Sequence, residues 1–226
     1  MTRRFDPAEI PAAPDLRFES QLWAAGCATI AGIDEAGRGA WAGPVAAGVV
    51  VLPASPDPRE RLARVRDSKQ MSPRERAYWA VEIQAIAAAW AVGYSSSQEI
   101  DQIGIVPATR LAMERALASL PVAPQHLLID ALRLPGLDIA QTSLIKGDAR
   151  SLSIAAASVL AKTARDGFME QLDEQFPGYG FARHKGYGTA AHWAALLDQG
   201  PCAAHRFCFA PIRQISCDPG SAGTAL

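Results

Sequence analysis

The stretch Ile33-Asp34-Glu35-Ala36-Gly37-Arg38-Gly39-Ala40-Trp41-Ala42-Gly43-Pro44 sets two carboxylates side by side where an apolar run ends, and follows them with closely spaced glycines. The runs on either side, 28–33 and 45–52, read as strands, the second built on Val45, Val49, Val50 and Val51. A link this short predicts an antiparallel pair. Neighbouring side chains of a regular strand point to opposite faces, so Asp34 and Glu35 share a site only where the strand stops or bends. Gly37 and Gly39 permit that bend and leave room for another backbone to approach.

Working outward, Ser72-Pro73 with Glu75 is a helix start: a hydroxyl cap, proline at the first helical position and an acid in the first turn. The pattern predicts a helix from there to about Ala89 that buries Tyr78, Val81 and Ile86, preceded by a short charged helix at 59–65. Further strands are expected at 90–94, 126–130 and 140–145. Leu127, Leu128 and Ile129 closing on Asp130 read as a buried parallel strand that presents an acid at its carboxyl end. Helices are expected through Ile100 after a serine cap, at 107–120, at 151–176 and at 189–199. The third of these is small and apolar almost all round from Ile154 to Ala161, the mark of a helix that its neighbours approach closely. The order β-β-α-β-α-β-β-α predicts an α/β protein, a mixed five-stranded sheet flanked by helices with extra C-terminal helices. Residues 1–27, with one short helix at 16–25, are expected to form a partly flexible N-terminal tail, 28–213 one domain, and 214–226 a flexible tail.

The 226 residues carry a formal net charge of -1, which argues against gripping nucleic acid by bulk charge. Charge is unevenly placed, however: Arg183, His184, Lys185, His192, His205, Arg206 and Arg213 face the single acid Asp198 within one segment. That segment is either a phosphate track or a solvated helical face. No apolar run reaches the ~20 residues of a membrane span, and the N-terminus lacks the apolar region of a secretory signal, so a cytoplasmic location is expected. Cys27, Cys202, Cys208 and Cys217 show no pairing scheme and read as reduced thiols. Cys202, His205, Cys208 and Cys217 offer soft ligands but lack the tight knuckle of structural zinc sites.

Asp34, Glu35, Asp130 and Asp148 all stand at element ends. Taken singly, Asp148 reads as a helix cap, Asp130 as a turn residue and Glu35 as solvent-facing. Together they point to one edge of a sheet. Two carboxylates ~4 Å apart repel by about 4 kcal/mol at an effective dielectric of 20, so either protons or divalent cations must neutralise such a cluster. An all-oxygen set favours Mg²⁺ or Mn²⁺, and two such ions would clamp an in-line displacement at phosphorus. The glycines miss the dinucleotide fingerprint by one residue, and Ala161-Lys162-Thr163 lacks the glycines of a phosphate loop.

Ile33-Asp34-Glu35-Ala36-Gly37-Arg38-Gly39 with Ala42-Gly43-Pro44-Val45, then Asp67-Ser68-Lys69, Leu128-Ile129-Asp130, Lys146-Gly147-Asp148, Ala156 to Lys162 and His184-Lys185-Gly186-Tyr187-Gly188-Thr189 together resemble the bacterial ribonuclease HII family, the type 2 ribonucleases H. The resemblance spans roughly Gly32 to Arg213. It implies a ribonuclease H-like catalytic domain that cuts the RNA strand of RNA–DNA hybrids and incises DNA duplexes at single embedded ribonucleotides, leaving 3′-hydroxyl and 5′-phosphate ends. It implies metal ligation by Asp34, Glu35, Asp130 and Asp148, with Asp34 bridging two ions, Glu35 and Asp130 completing one site and Asp148 the other. Gly37, Arg38 and Gly39 match the segment that recognises the ribose 2′-hydroxyl, Tyr187 the tyrosine that stacks on the following deoxyribose, and Lys69 a phosphate contact. Amides can read the 2′-hydroxyl only where glycines remove side chains. The sequence departs from the family pattern at Ala40-Trp41 (usually Pro-Leu), at Ala155 (usually Ser) and at Ala131 (usually Gly). The expected partners are the two kinds of duplex, with no membrane, no evident protein partner and a monomeric chain. The rival readings are a nuclease or recombinase of the same fold without ribose discrimination, and a non-catalytic duplex-binding protein.

Overall fold

Val45–Val51 is buried along its whole length, and a strand covered on both faces requires helices above and below it. A computed structural model describes residues 10–55 and 57–217 and meets that requirement. In chain order the elements are α1 (Arg17–Ala24), β1 (Ile30–Ala36), β2 (Val45–Val51), α2 (Asp57–Arg61), α3 (Pro73–Ile86), β3 (Ala89–Ser95), α4 (Ser97–Ile103), α5 (Ile105–Ala118), β4 (His126–Asp130), β5 (Ala140–Leu144), α6 (Leu152–Gln175), α7 (Phe181–His184), α8 (Ala190–Gln199) and α9 (Ala210–Cys217), with 3-10 turns at Ser68–Gln70 and Gly147–Ala149. They form the expected mixed five-stranded sheet, in the order β3-β2-β1-β4-β5. β1 pairs antiparallel with β2 and parallel with β4, and β4 pairs parallel with β5. No helix among the described residues is long and apolar enough to cross a membrane.

Ala80 and Ile83 of α3 and Leu152, Ala156 and Val159 of α6 close one face of the sheet around Val50. Ala108, Ala112, Met113 and Ala116 of α5 close the other around Ile33 and Val49. The run Ile154–Ala161 is buried throughout, as its composition predicts. α6 lies so close that a Cβ on Gly32 would fall 2.2 Å from the Ser153 carbonyl carbon, and one on Gly48 2.3 Å from the Ala157 carbonyl oxygen. Such contact is open only to backbone without side chains. A separate cluster of Met169, Leu172, Phe181, Leu196 and Ile212 joins the end of α6 to α7, α8 and α9.

Several boundaries differ from expectation. β1 does not stop before the acids: Asp34 pairs with Gly48 and Glu35 with Ala47, and the chain turns at Gly37, φ +93°. Ladder hydrogen bonds to β2 carry the strand past the point where polar side chains begin. α3 keeps its capping box of Ser72 and Glu75 but ends at Ile86. It buries Arg76, Ala80, Ile83 and Ile86, while Tyr78 and Val81 are exposed. Arg76 holds the inward face because Asp166 on α6 receives it at 3.0 Å. The short charged helix starts and ends earlier than expected, at Asp57–Arg61.

α1 falls inside the stretch expected to be loosely held. Its Glu19 is buried and accepts hydrogen bonds from the Ser151 hydroxyl at 2.6 Å and from the Ser153 amide at 3.0 Å and hydroxyl at 2.6 Å, tying α1 to the start of α6. α9 extends the ordered chain through Cys217, with Ile215 buried, into the stretch expected to be a flexible tail. Residues 1–9 and 218–226, the rest of the two expected tails, lie outside the described residues.

Gly48→Ala is expected to destabilise the fold by about 1–3 kcal/mol, the usual cost of an added carbon in a filled core. Urea denaturation reads this as a lower midpoint at unchanged slope; an unchanged midpoint would contradict the contact between β2 and α6.

Candidate active site

Three strand ends deliver the acids to one edge. The register that pairs Ile33 with Ile129 puts Asp34 and Asp130 level on neighbouring parallel strands. β5 pairs Leu144 with Asp130 and leads into the 3-10 turn that carries Asp148. After Asp130 the chain turns through Ala131 at φ +50°. This left-handed conformation costs a residue with a Cβ about 1–2 kcal/mol, a cost glycine would avoid. The turn sets Asp130 Oδ1 to accept from the Gly147 amide at 2.6 Å.

Charge at this edge is poorly compensated. The Asp34 carboxyl is held well above the usual carboxylate range, first by burial, then by the charges of Glu35 and Asp130 and, more weakly, Asp148; a hydrogen bond from Ser158 partly offsets this. Burial also raises Asp130, to which the charge of Glu35 adds, and Asp148, to which that of Asp130 adds. Two cations lean in: Arg38 reaches Glu35 at 3.0 Å and Lys69 Nζ stands 3.9 Å from Asp148. Burial alone would lower Lys69, but the charges of Asp67, Asp34, Asp148 and Asp130 outweigh it and hold the ammonium above its ordinary value.

Beside the acids runs an open groove of about 580 Å³, with Glu35, Gly37, Gly39, Lys69, Lys162 and Tyr187 among its walls. The groove thus gathers one acid, both glycines, Arg38, Lys69 and the tyrosine, whereas Asp34, Asp130 and Asp148 do not line it and join the acids through their mutual charge. The two glycines differ. A Cβ on Gly37 would fall 1.9 Å from Arg165 Nε, while one on Gly39 would meet nothing within 4 Å. Tyr187 is half-exposed, its ring 5.6 Å from Lys162 Nζ and 5.5 Å from the Arg165 guanidinium carbon.

The basic segment 183–213 proves mostly internal. His184, His192, His205 and Arg206 are buried, so they form no phosphate track. The Cys202 amide donates to His205 Nδ1 at 2.9 Å, which leaves the proton on His205 Nε2 to donate to His192 Nε2 at 3.0 Å; His192 Nδ1–H then meets the Tyr187 carbonyl at 3.0 Å. Burial pushes both rings down to about 4 and keeps them neutral. Cys27, Cys202 and Cys208 are free thiols. Arg165 was not singled out in the sequence, because a buried arginine has no pattern of its own and two of its three carbonyl partners, Pro44 and Ala42, lie more than a hundred positions away.

Asp34, Glu35, Asp130 and Asp148 offer oxygen alone, the donor set of a hard cation. Glu35 Oε2 is buried without a hydrogen-bond partner, a lone pair placed to meet positive charge. Among the described residues no three Asp, Glu, His or Cys side chains close on one point as a ready-made cage. A hard ion needs only one or two carboxylates besides waters and substrate oxygens.

Ribonuclease H2 from Pyrococcus horikoshii superposes with a TM-score of 0.67 at 27% identity, over 83% of this chain and 96% of that one. The fold is that of a ribonuclease H, a hydrolase of the RNA strand in RNA–DNA hybrids. Residues 31–212 match the family model Ribonuclease HII. Ribonuclease HII of Synechococcus is 50% identical over 202 residues, 89% of this chain and 90% of its own, and that of Chloroflexus aurantiacus 52% identical over 202 residues, 88% of this chain and 94% of its own. The chain belongs to the ribonuclease HII family.

An ordinary aspartate releases its proton near 3.8, whereas folded Asp34 keeps its proton to higher pH. Above that point the unfolded chain is ionised before the folded one, so the carboxyl penalises folding, with the penalty growing until pH passes the raised value. Asp34→Asn is therefore expected to melt at a higher temperature than the native chain in metal-free buffer at about pH 7, the difference closing as pH falls toward 3.8. Identical melting at neutral pH would show that Asp34 bears no such burden.

Proposed function

We propose that this ribonuclease H incises duplex DNA on the 5′ side of a single embedded ribonucleotide, leaving 3′-hydroxyl and 5′-phosphate ends, and that it requires Mg²⁺ or Mn²⁺, two ions in the substrate complex. The observation that carries the reading is Gly39. Its φ is outside the left-handed region and a Cβ there would touch no protein atom. Neither a left-handed backbone nor packing accounts for glycine there, and its bare backbone is left open to what enters the groove. A bare backbone lets amides reach a sugar, and the 2′-hydroxyl is the one group by which the two sugars differ.

Tyr187 stands in the same groove and is the residue proposed to stack on the deoxyribose that follows. Asp34, Glu35, Asp130 and Asp148 would hold the ions. Bound there, they would supply an activated water and stabilise the departing oxygen. The raised proton affinity of Asp34 is the cost of keeping a carboxylate ready for that load. Lys69, exposed over most of its side chain, and Arg38 are the cations proposed to turn from the acids to phosphate.

A duplex with one ribonucleotide is expected to be nicked once, 5′ to it, in Mg²⁺ and not in chelator, while an all-DNA duplex stays whole. Equal cutting of the all-DNA duplex would favour a nuclease blind to the sugar, and tight binding without product a non-catalytic role. Asp34→Asn is expected to abolish cleavage with the fold intact. Tyr187→Ala should lower cutting at single ribonucleotides by about tenfold more than cutting of long hybrids, the worth of one contact of ~1.4 kcal/mol. Equal losses on both substrates would remove Tyr187 from sugar recognition.

A further inference from the structure

Arg165 sits on α6, fully buried, one turn beyond the small-residue run. Its guanidinium spends its donors on carbonyls of two separate loops. Nε donates to Pro44 at 2.8 Å and Nη2 to Ala42 at 3.1 Å, both in the loop that follows the Gly37–Gly39 segment. Nη1 donates to Lys185 at 2.9 Å, two residues before Tyr187. The side chain fills the space that Gly37 leaves open, and the guanidinium carbon lies 5.5 Å from the Tyr187 ring centroid. Burying a cation against neutral carbonyls is unfavourable, and the proton affinity of Arg165 falls accordingly. A core that wanted only volume would fill this place with an apolar side chain.

A second buried arginine supplies the comparison. Arg206 donates to the Gly43 carbonyl at 3.0 Å and the Arg38 carbonyl at 2.9 Å, so it staples the same glycine-rich loop. Its hydrogen bonds do not reach the Lys185–Tyr187 loop. Arg165 alone of the two spans the groove's two recognition walls.

We propose that Arg165 is a positioning residue for sugar discrimination: its guanidinium sets the gap between the Gly37–Gly39 segment and Tyr187, and so fixes how far apart the ribose and the following deoxyribose are read. This rests on the reading of Tyr187 given above. A fork of donors in one plane is what the task requires, because three carbonyls from two loops must be held at once. Lysine keeps the charge but presents a single nitrogen, which cannot hold both loops in register.

Arg165→Lys, Arg206→Lys and Tyr187→Ala are compared with the native enzyme on two substrates, a duplex with one ribonucleotide and a long RNA–DNA hybrid. The readout is the ratio of kcat/KM on the first to that on the second. The expected result is a fall in this ratio of about tenfold in Arg165→Lys, as in Tyr187→Ala, with Arg206→Lys changing both substrates equally. An unchanged ratio in Arg165→Lys while Tyr187→Ala lowers it overturns the positioning role alone. An unchanged ratio in Tyr187→Ala overturns the sugar reading and this inference with it. An equal fall in Arg206→Lys also overturns the inference, because general loosening of the loop would then explain both. Arg165→Gln, neutral but with amide donors, is the second variant should lysine impair folding. If neither variant folds, Arg165 is a structural keystone and the proposal fails.

Discussion

A carboxylate buried beside other carboxylates is the constraint on which this molecule turns. Asp34 is 3% exposed and feels Glu35, Asp130 and Asp148. Each close pair of ionised carboxyls costs about 4 kcal/mol at an effective dielectric of 20, and hydrophobic burial gains nothing from such an arrangement. The rest of the fold is arranged so that the cost can be borne. Parallel pairing of β1 with β4 and β4 with β5 holds the acid-bearing ends level, and α6 brings the Ser158 hydroxyl to Asp34. Arg38 and Lys69 supply partial counter-charge from solvent-exposed positions, where they are able to leave.

The same helix that supports the acids also organises the neighbouring groove. α6 can touch the sheet backbone only because Gly32 and Gly48 lack side chains. Further along, it carries Lys162 into the groove and Arg165 beneath it. On the far side, the neutral His205–His192 pair fixes the Tyr187 carbonyl. Trp41 covers Gly188 and packs 5.5 Å from His192. Tyr187 is thus held through its backbone from one side and faced by cations from the other.

Much of this was legible in the residues, and the failures have physical causes. Ser72 with Glu75 and the run Leu127–Ile129 announced α3 and β4 because capping and burial are local. The end of β1 was placed too early because polarity at Asp34 suggests exposure, whereas ladder pairing with Gly48 is decided by a strand elsewhere in the sequence. Tyr78 and Val81 were expected inside because apolar residues usually are; a partner at Asp166 lets Arg76 take the inward face instead. His192, His205 and Arg206 suggested a basic surface, since charge is visible in a sequence and its burial against carbonyls is not. Glu35, Asp130 and Asp148 do come near enough to Asp34 to act on its charge, a grouping that element ends on one sheet edge made legible.

The central claim is that these acids are a cation site. Calorimetric titration of the metal-free enzyme with Mn²⁺, in the absence of nucleic acid, tests it most directly. Saturable binding that is weakened at least about tenfold by Asp34→Asn and again by Asp130→Asn is the predicted result, since each substitution removes a charged ligand. Binding of equal strength in the native enzyme and in a variant lacking all four carboxylates would contradict it.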